Sequence, residues 1–357
     1  MILQPEALTE FAAAIIEAAG SQRAEALEVA RHLVEANLKG HDSHGVGMIP
    51  TYTTNVTTGR LHPNKHAEKI SEMGSIAVFD GGMGYGQVIA REATEWAIAK
   101  TQETGLAMFA IRNTHHVARV GAYGEQAAAA GFVSIHFVNV LIAPGRTAPF
   151  GGTTGRFGTD PICITFPGNL GGGKKDAPPV VLDFATSRVA AGKLRVAMNE
   201  DKQMQPGVLI DAEGHDATDP NVFYKKNGAM LPFGEHKGSG LALVCELMAG
   251  VLTGGGVMQG NMTNHGVKNG MFTIMLDPAK FGDTGWMSNE MQTLLDWVKS
   301  SKPRPGVEEV LVAGEPERKS RDKRLKTGIP VDTTTWGELV AAAKAAGVPA
   351  AKIPTEA

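Results

Sequence analysis

Four histidines fall in two short clusters, His41 with His44 and His115 with His116. An imidazole titrates near neutrality, so it can give or take a proton at ordinary pH, typically worth ~10²–10⁴ in rate. Ser43, beside His44, adds a hydroxyl that can donate or accept. Residue types alone leave three chemistries open: proton transfer to a bound substrate, zinc ligation, and Ser–His hydrolysis. The zinc reading lacks H-E-x-x-H spacing and has no nearby Cys or acid beyond Asp42. The hydrolase reading lacks a G-x-S-x-G elbow, and neighbours such as Ser43 and His44 are not expected to aim their side chains at one another.

A second signal is the run from Leu231 to Gly240, which opens a helix with Leu241, Val244, Cys245, Met248 and Leu252 on its buried face. Lys237 falls in its first turn, where the helix dipole disfavours a cation. A phosphate held by that lysine and by free backbone N–H groups would reverse the penalty. Other glycine runs are less specific. Gly81 to Gly86 fails the G-x-G-x-x-G dinucleotide fingerprint, because Gln87 stands where the third glycine belongs. Gly171 to Lys175 lacks P-loop spacing and reads as a surface loop. Gly151 to Pro161 either wraps a ligand or turns a corner. Arg318 to Lys326, six basic residues in nine, reads as a solvated face.

These loops need a scaffold. Helical spacing predicts a pair of helices before residue 40, with Gly20-Ser21 ending one and capping the next. Strands are expected at Ile76–Phe79, Leu106–Ile111, Phe132–Val140, Pro161–Phe166, Val180–Phe184, Phe272–Leu276 and Val310–Val312. Helices are expected up to Thr104, from Ala118 to Ala130, His236 to Leu252, Met287 to Ser300, and Thr333 to Ala346. The mixture without strict alternation indicates an α+β (mixed α/β) fold. Composition excludes other classes. Of 357 residues, 43% are hydrophobic and 20% charged, enough for a sizeable core. Thirty-four Lys and Arg against 37 Asp and Glu give no general attraction to nucleic acid or anionic membrane. Two cysteines and no signal-like or membrane-spanning run suggest a cytoplasmic protein.

Taken in order, Asp42-Ser43-His44-Gly45-Val46, Asn113-Thr114-His115-His116, Ala148-Pro149-Phe150-Gly151-Gly152 and Phe157-Gly158-Thr159-Asp160-Pro161 form a recognisable series. Leu182-Asp183-Phe184-Ala185-Thr186-Ser187, His236-Lys237-Gly238-Ser239-Gly240-Leu241-Ala242 and Gly328-Ile329-Pro330 complete it. The chain resembles the type-2 malate/L-lactate dehydrogenase family of NAD(P)-dependent 2-oxoacid and ketimine reductases. Glu235-His236-Lys237 and Gly45-Val46-Gly47-Met48 resemble its bacterial hydroxycarboxylate dehydrogenase branch. The resemblance implies a non-Rossmann dinucleotide fold and a homodimer with the active site near the interface. It also implies a helical domain from 1–72 with 325–357, and a cofactor- and substrate-binding domain at 73–324.

It further implies hydride transfer between NAD or NADP and C2 of a 2-hydroxy acid, with His116 as general acid/base and His44 and Ser43 beside it. Cofactor contacts would come from Met48, Val120, Gly121, Ala122, Asn139, Leu182, Asp183, Phe184, Ala185, Thr186, Ser187, His236, Lys237, Asn269, Gly314, Glu315 and Pro316. No metal is implied. Two positions depart from the family pattern: Met48 stands where many relatives carry arginine, and Asp160 replaces the usual asparagine. Arg119, Arg156 and Thr159 then become the candidates for holding the substrate carboxylate. Met48 favours a larger or more apolar substrate group than malate's second carboxylate. The rivals are reduction of a cyclic imine acid within the family, a zinc-dependent hydrolase, and a nucleotide-binding protein without turnover.

Overall fold

The computed structural model describes residues 1–170, 177–260, 262 and 266–354; the loop expected at Gly171–Lys175 lies outside them. A short strand β1 (Ile2–Leu3) leads into α1 (Pro5–Ala18), which starts on a proline that has no N–H to leave unpaired. Helix α2 (Arg23–Leu38) follows, and Ala26, Val29, Ala30 and Leu33 share one core with Leu8, Phe11 and Ile15 of α1. Ser21 does not cap α2. Gln22 takes that position without a side-chain bond, and Asn64 fixes the junction by accepting from the Gln22 N–H (2.7 Å). Helix α3 (Ile49–Thr57) was not expected; it buries Ile49, Tyr52 and Asn55.

The centre of the protein is a seven-stranded mixed sheet. Strands β2 (Glu68–Met73) and β3 (Ile76–Asp80) form one edge, and α4 (Gly86–Thr104) leads from β3 to β4 (Leu106–Thr114). Helix α5 (Gly121–Ala129) then joins β4 to β5 (Val133–Leu141), and β6 (Ile162–Phe166) and β7 (Val180–Phe184) follow. Beyond them come α6 (Ala191–Asn199), β8 (Leu209–Ile210), β9 (Asp216–Ala217), α7 (Asn221–Lys225) and β10 (Ala229–Met230). Helix α8 (His236–Cys245) runs on as a π-helical turn over Glu246–Val251, and β11 (Lys268–Leu276) returns to the centre of the sheet.

The sheet order is β2-β3-β4-β11-β5-β6-β7, with only β3 and β4 parallel. The expected strand at Val310–Val312 is absent. The chain meets the edge strand β7 just after that segment, where Val181 N–H donates to Ala313 O (3.3 Å). The chain closes with α9 (Thr284–Lys299), α10 (Glu315–Thr327), β12 (Ile329–Pro330) and α11 (Thr333–Ala345).

Apolar burial divides among three main clusters. One joins α1, α2 and α3 to Ile329, Val331, Leu339 and Ala343 from the far end of the chain, and β12 pairs with β1 beside it. A second lies between the sheet and helices α4 and α5, around Phe79, Ile89, Phe109, Ile111, Tyr123 and Met271. The third, around Leu194, Leu209, Phe223 and Met230, supports the small sheet β10-β8-β9. At ~1.5–3 kcal/mol per fully buried large apolar side chain, each cluster suffices to fix the loops that leave it.

Candidate active site

The His44 turn hangs from α2. After Leu38 the chain reverses at Gly40 (φ +80°) and makes one 3-10 turn over Asp42–His44. Arg324 of α10 grips Asp42 with both nitrogens (2.7 and 2.9 Å), and the Asn37 amide donates to the same carboxylate (2.6 Å). Arg318 and Arg321 reach Pro179 O and Glu35. The basic run is therefore not merely a solvated face: it clamps α10 onto α2 and the edge of the sheet. Gly192 of α6 lies against the turn, where a Cβ would stand 2.3 Å from that of Ser43. Contrary to expectation, Ser43 Oγ meets His44 Nδ1 (3.0 Å), because in so tight a turn the short serine side chain reaches its neighbour's near nitrogen.

His115 and His116 follow the end of β4, between Asn113 (φ +54°) and Ala118 (φ +57°). A left-handed alanine is costly and persists where surrounding structure dictates it. The start of α4 supplies part of that structure: a Cβ on Gly86 would lie 2.5 Å from His116 O and 2.6 Å from His115 O. The glycine turn thus serves close backbone packing under the histidine loop.

His115 is fully buried, with Nε2 accepting from the Asn55 amide (2.9 Å). His116 Nδ1 meets Tyr52 Oη (2.8 Å), and the Gln87 amide donates to the same oxygen (3.0 Å). Burial pushes the Tyr52 phenol up, so it keeps its proton. The His44 and His116 rings stack, with centroids 5.6 Å apart and planes 19° apart. Burial, then His41 and Arg119, lowers His44 to about 4. Burial, then His44, His115 and His32, holds His116 well below the ordinary histidine value. Both rings are neutral at pH 7, ready to accept a proton.

The remaining expected residues gather around β7 and the segment after it. Asp183 accepts from Gly121 N–H (2.8 Å) at the start of α5, between Val120 and Ala122, and stands 3.9 Å from Arg119 Nε. Arg119 is 3% exposed, and its fork is held by Glu125 (3.1 and 2.5 Å). Thr159 O accepts from both Thr186 N–H (2.9 Å) and Thr186 Oγ1 (3.0 Å). Phe184 lies edge-on to Phe233, Ala185 is half-buried, and Ser187 Oγ donates to Val189 O. Leu182 faces outward. Gly314, Glu315 and Pro316 open α10 beside Val181, which bonds to Ala313.

Asn269 Oδ1 accepts from Val117 N–H (2.9 Å), next to His116, and its amide donates to Asn139 O. Asn139 in turn bonds Gly270, Gly256 and Glu246. These two amides tie β5 to β11 and to the histidine loop. Met48 is half-buried against the helical core. Arg156 is exposed, its guanidinium donating to Gly155 O next to it.

His236 and Lys237 are exposed at the start of α8. Three of the backbone donors there are already used, however. Gly234 (φ +53°) and Glu235 (φ +58°) fold the loop back, so Lys237, Gly238 and Ser239 N–H donate to Gly234, Phe233 and Glu235 carbonyls.

Sequence reading missed Tyr52, Gln87 and Asn55. The available signal was an i, i+3, i+6 face, Ile49-Tyr52-Asn55, on a short segment after Met48. A groove of about 1020 Å³ between α3 and α11 is lined by Pro50, Thr51, Thr54, Arg195 and Glu338, but not by His44 or His116. Among the described residues, no three His, Cys, Asp or Glu side chains are placed to hold a metal ion, and no helix is long and apolar enough to cross a membrane.

Residues 3–340 match the family model for malate/L-lactate dehydrogenase. The chain is 41% identical over 348 residues to hydroxycarboxylate dehydrogenase B of Escherichia coli K12, covering 96% of this chain and 94% of that one. It is 37% identical over 314 residues to L-lactate dehydrogenase of Cupriavidus necator, covering 87% and 88%. Among solved structures, an E. coli protein assigned as a malate/lactate dehydrogenase superposes with a TM-score of 0.93 at 39% identity, covering 99% of this chain and 97% of that one.

Proposed function

The chain belongs to the malate/L-lactate dehydrogenase family and is a 2-hydroxyacid dehydrogenase; from that premise we propose that His116 exchanges the proton while NAD or NADP exchanges the hydride at C2. The single observation that carries this reading is the stacked, neutral His44–His116 pair with Tyr52 behind it. The nicotinamide cofactor, when bound, supplies or receives the hydride. The residues present fit such a group: exposed Lys237 offers an ammonium to phosphate, and His236, Phe150 and Phe184 offer ring faces and edges nearby. The remaining expected contacts are assigned to the segment Leu182–Ser187, to Val120–Ala122, to Met48, Asn139 and Asn269, and to Gly314–Pro316.

His116 Nε2 takes the proton from the C2 hydroxyl during oxidation and returns it to the carbonyl oxygen during reduction. A ring protonated at both nitrogens needs an acceptor at Nδ1. Tyr52 Oη provides it, and with the Gln87 amide turned over the phenol proton goes to Gln87 Oε1, which is buried without a partner. The neutral ring that accepts at Nε2 already carries its proton at Nδ1 and donates it to the same phenol oxygen. One relay thus serves both protonation states. His44, fixed by Ser43, stays neutral beside it and orients the transferred proton. The substrate carboxylate requires a cation. Arg156, exposed and paired with no acid among the described residues, fits that task better than Arg119, which Glu125 already occupies; Thr159 lies on the same loop.

The mostly antiparallel sheet order and the failed glycine fingerprint support a non-Rossmann mode of dinucleotide binding. The core drawn from both chain ends supports a helical domain of 1–72 with 325–357 beside a domain of 73–324, with β2 hydrogen-bonded into the sheet of the latter. Buried, unpaired Cys163 and Cys245 suit the reducing cytoplasm. Val244 and Leu252, expected on a buried face, are exposed instead; with exposed Leu243, Leu247 and Val251 along α8 and its continuation, and with α9, whose Trp297 is 75% exposed, they support a homodimer. Light scattering should give twice the chain mass, and Leu247→Asp with Val251→Asp should give the monomer; a wild-type monomer would contradict it.

The test of function is oxidation of NADH and NADPH across pyruvate, oxaloacetate, phenylpyruvate and a cyclic imine acid. Turnover is expected with a 2-oxoacid. Turnover with the imine acid alone would overturn the assignment.

A further inference from the structure

Two buried carboxyl groups stand close to the site without any part in the chemistry above. Asp160 is fully buried in the loop that carries Thr159, at φ +33°, a conformation non-glycine residues seldom take. Its Oδ1 accepts from Val140 N–H (2.8 Å), and its Oδ2 is buried with no partner. Glu246, 4% exposed, opens the π-helical turn after α8. Its Oε2 accepts from the Asn139 amide and from Met258 N–H (both 3.1 Å), and its Oε1 is buried with no partner. The two acids are thus moored to successive residues of β5, each with one bare oxygen.

Two carboxylates cannot both stay ionised in such a place. A bare anionic oxygen in a dry interior is strongly disfavoured, and a like charge beside it makes matters worse. Burial pushes the Asp160 carboxyl well above its usual range, and Glu246 adds to the rise. Cys245 on α8 also faces the pair, as a thiol that burial keeps protonated. Among the described residues, no lysine, arginine or histidine forms an ion pair with either acid.

We propose that Asp160 is a neutral acid whose Oδ2–H donates to Glu246, and that this one proton holds the Thr159 loop against the cofactor-facing segment. The path is short. Thr159 O receives both donors of Thr186, and Thr186 O receives Phe233 N–H at the approach to α8 and Lys237. Loss of the proton sets two negative charges against each other, parts the π-helical turn from the loop, and loosens the Thr159–Thr186 contact. Asp160 and Glu246 are therefore positioning residues. An asparagine at 160 would donate the same bond from Nδ2 and never titrate, so this chain carries a proton-dependent version of the link.

The kinetic consequence rests on the dehydrogenase reading; the proton itself does not. Infrared spectroscopy with ¹³C-labelled aspartate should show a protonated carboxyl band at pH 7 that Asp160→Asn abolishes. Free aspartate loses its proton near pH 4 while folded Asp160 keeps it, so stability is lost as pH rises. From pH 5 to 8 the wild-type folding constant should fall relative to Asp160→Asn by about tenfold per pH unit until Asp160 ionises. Asp160→Asn should keep kcat at pH 7 within about threefold and hold its cofactor KM level as pH rises, whereas the wild-type value rises at least about fivefold once the carboxyl band is lost. Glu246→Gln, which removes the opposing charge from the other side, should likewise flatten the cofactor KM and move the carboxyl band's loss to lower pH. Absence of the band in the wild type, or parallel stability curves for wild type and Asp160→Asn, would overturn the proposal. Failure of turnover with every 2-oxoacid would instead count against the function, leaving the band and the stability difference in place.

Discussion

Replacing Tyr52 by phenylalanine deletes one oxygen and keeps the ring that packs against Tyr85 and His115. That oxygen sits between His116 Nδ1 (2.8 Å) and the Gln87 amide (3.0 Å). During turnover the bond is to an imidazolium, and a hydrogen bond to a charged group is worth ~1.5–3 kcal/mol. At 1.36 kcal/mol per decade, kcat should fall roughly 10- to 150-fold. The fold should lose about 1–3 kcal/mol as well, because the Gln87 amide is left buried without a partner on either side. Steady-state kinetics in both directions and urea unfolding on the same preparation separate the two effects. The KM for NADH should be unchanged, since Tyr52 lies behind the histidine. A variant that unfolds earlier yet keeps kcat within about twofold would refute the relay and leave Tyr52 a packing residue.

Other outcomes follow from the same geometry. Lys237→Ala should raise the NADH dissociation constant roughly tenfold or more in a fluorescence titration, with kcat little changed, since one charge-assisted phosphate contact is removed; an unchanged constant would move the phosphate site elsewhere. His136 is held neutral between Thr273 Oγ1 and Ser134 Oγ, and burial lowers it to about 3. Below about pH 6.5 the unfolded chain takes up a proton there that the folded chain refuses, so this residue costs stability as pH falls. Unfolding free energies of wild type and His136→Gln should therefore diverge by about 1.4 kcal/mol per pH unit between pH 6 and 4, the wild type losing more; parallel curves would contradict the buried neutral ring.

Much of the site was legible because its parts are local in sequence. His41 to Gly45 and Asn113 to His116 announce themselves as short polar clusters between apolar elements. Tyr52 does not, because its partner His116 is far along the chain and only the fold joins them. Helix α3 was hidden by threonines at 51, 53, 54 and 57, whose branching lowers helix propensity. Burial of Ile49 and Tyr52 overrides it, while Thr53, Thr54 and Thr57 donate back to Pro50 and Thr53 carbonyls. At Val310–Val312 the opposite happened: an apolar run suggested a strand, but the chain bonds the sheet edge through Ala313, just after it. The basic run before Gly328 gave charge without direction. Only the positions of Glu35 and Asp42 reveal that Arg321 and Arg324 point inward.

The most direct measurement is single-turnover hydride transfer by His116→Asn, with NADH saturating and its dissociation constant determined alongside. The account predicts NADH bound almost as in the wild type and transfer slowed at least about a hundredfold, the usual worth of a positioned acid or base. Near-normal transfer at the same NADH affinity would contradict it and take the proton away from His116.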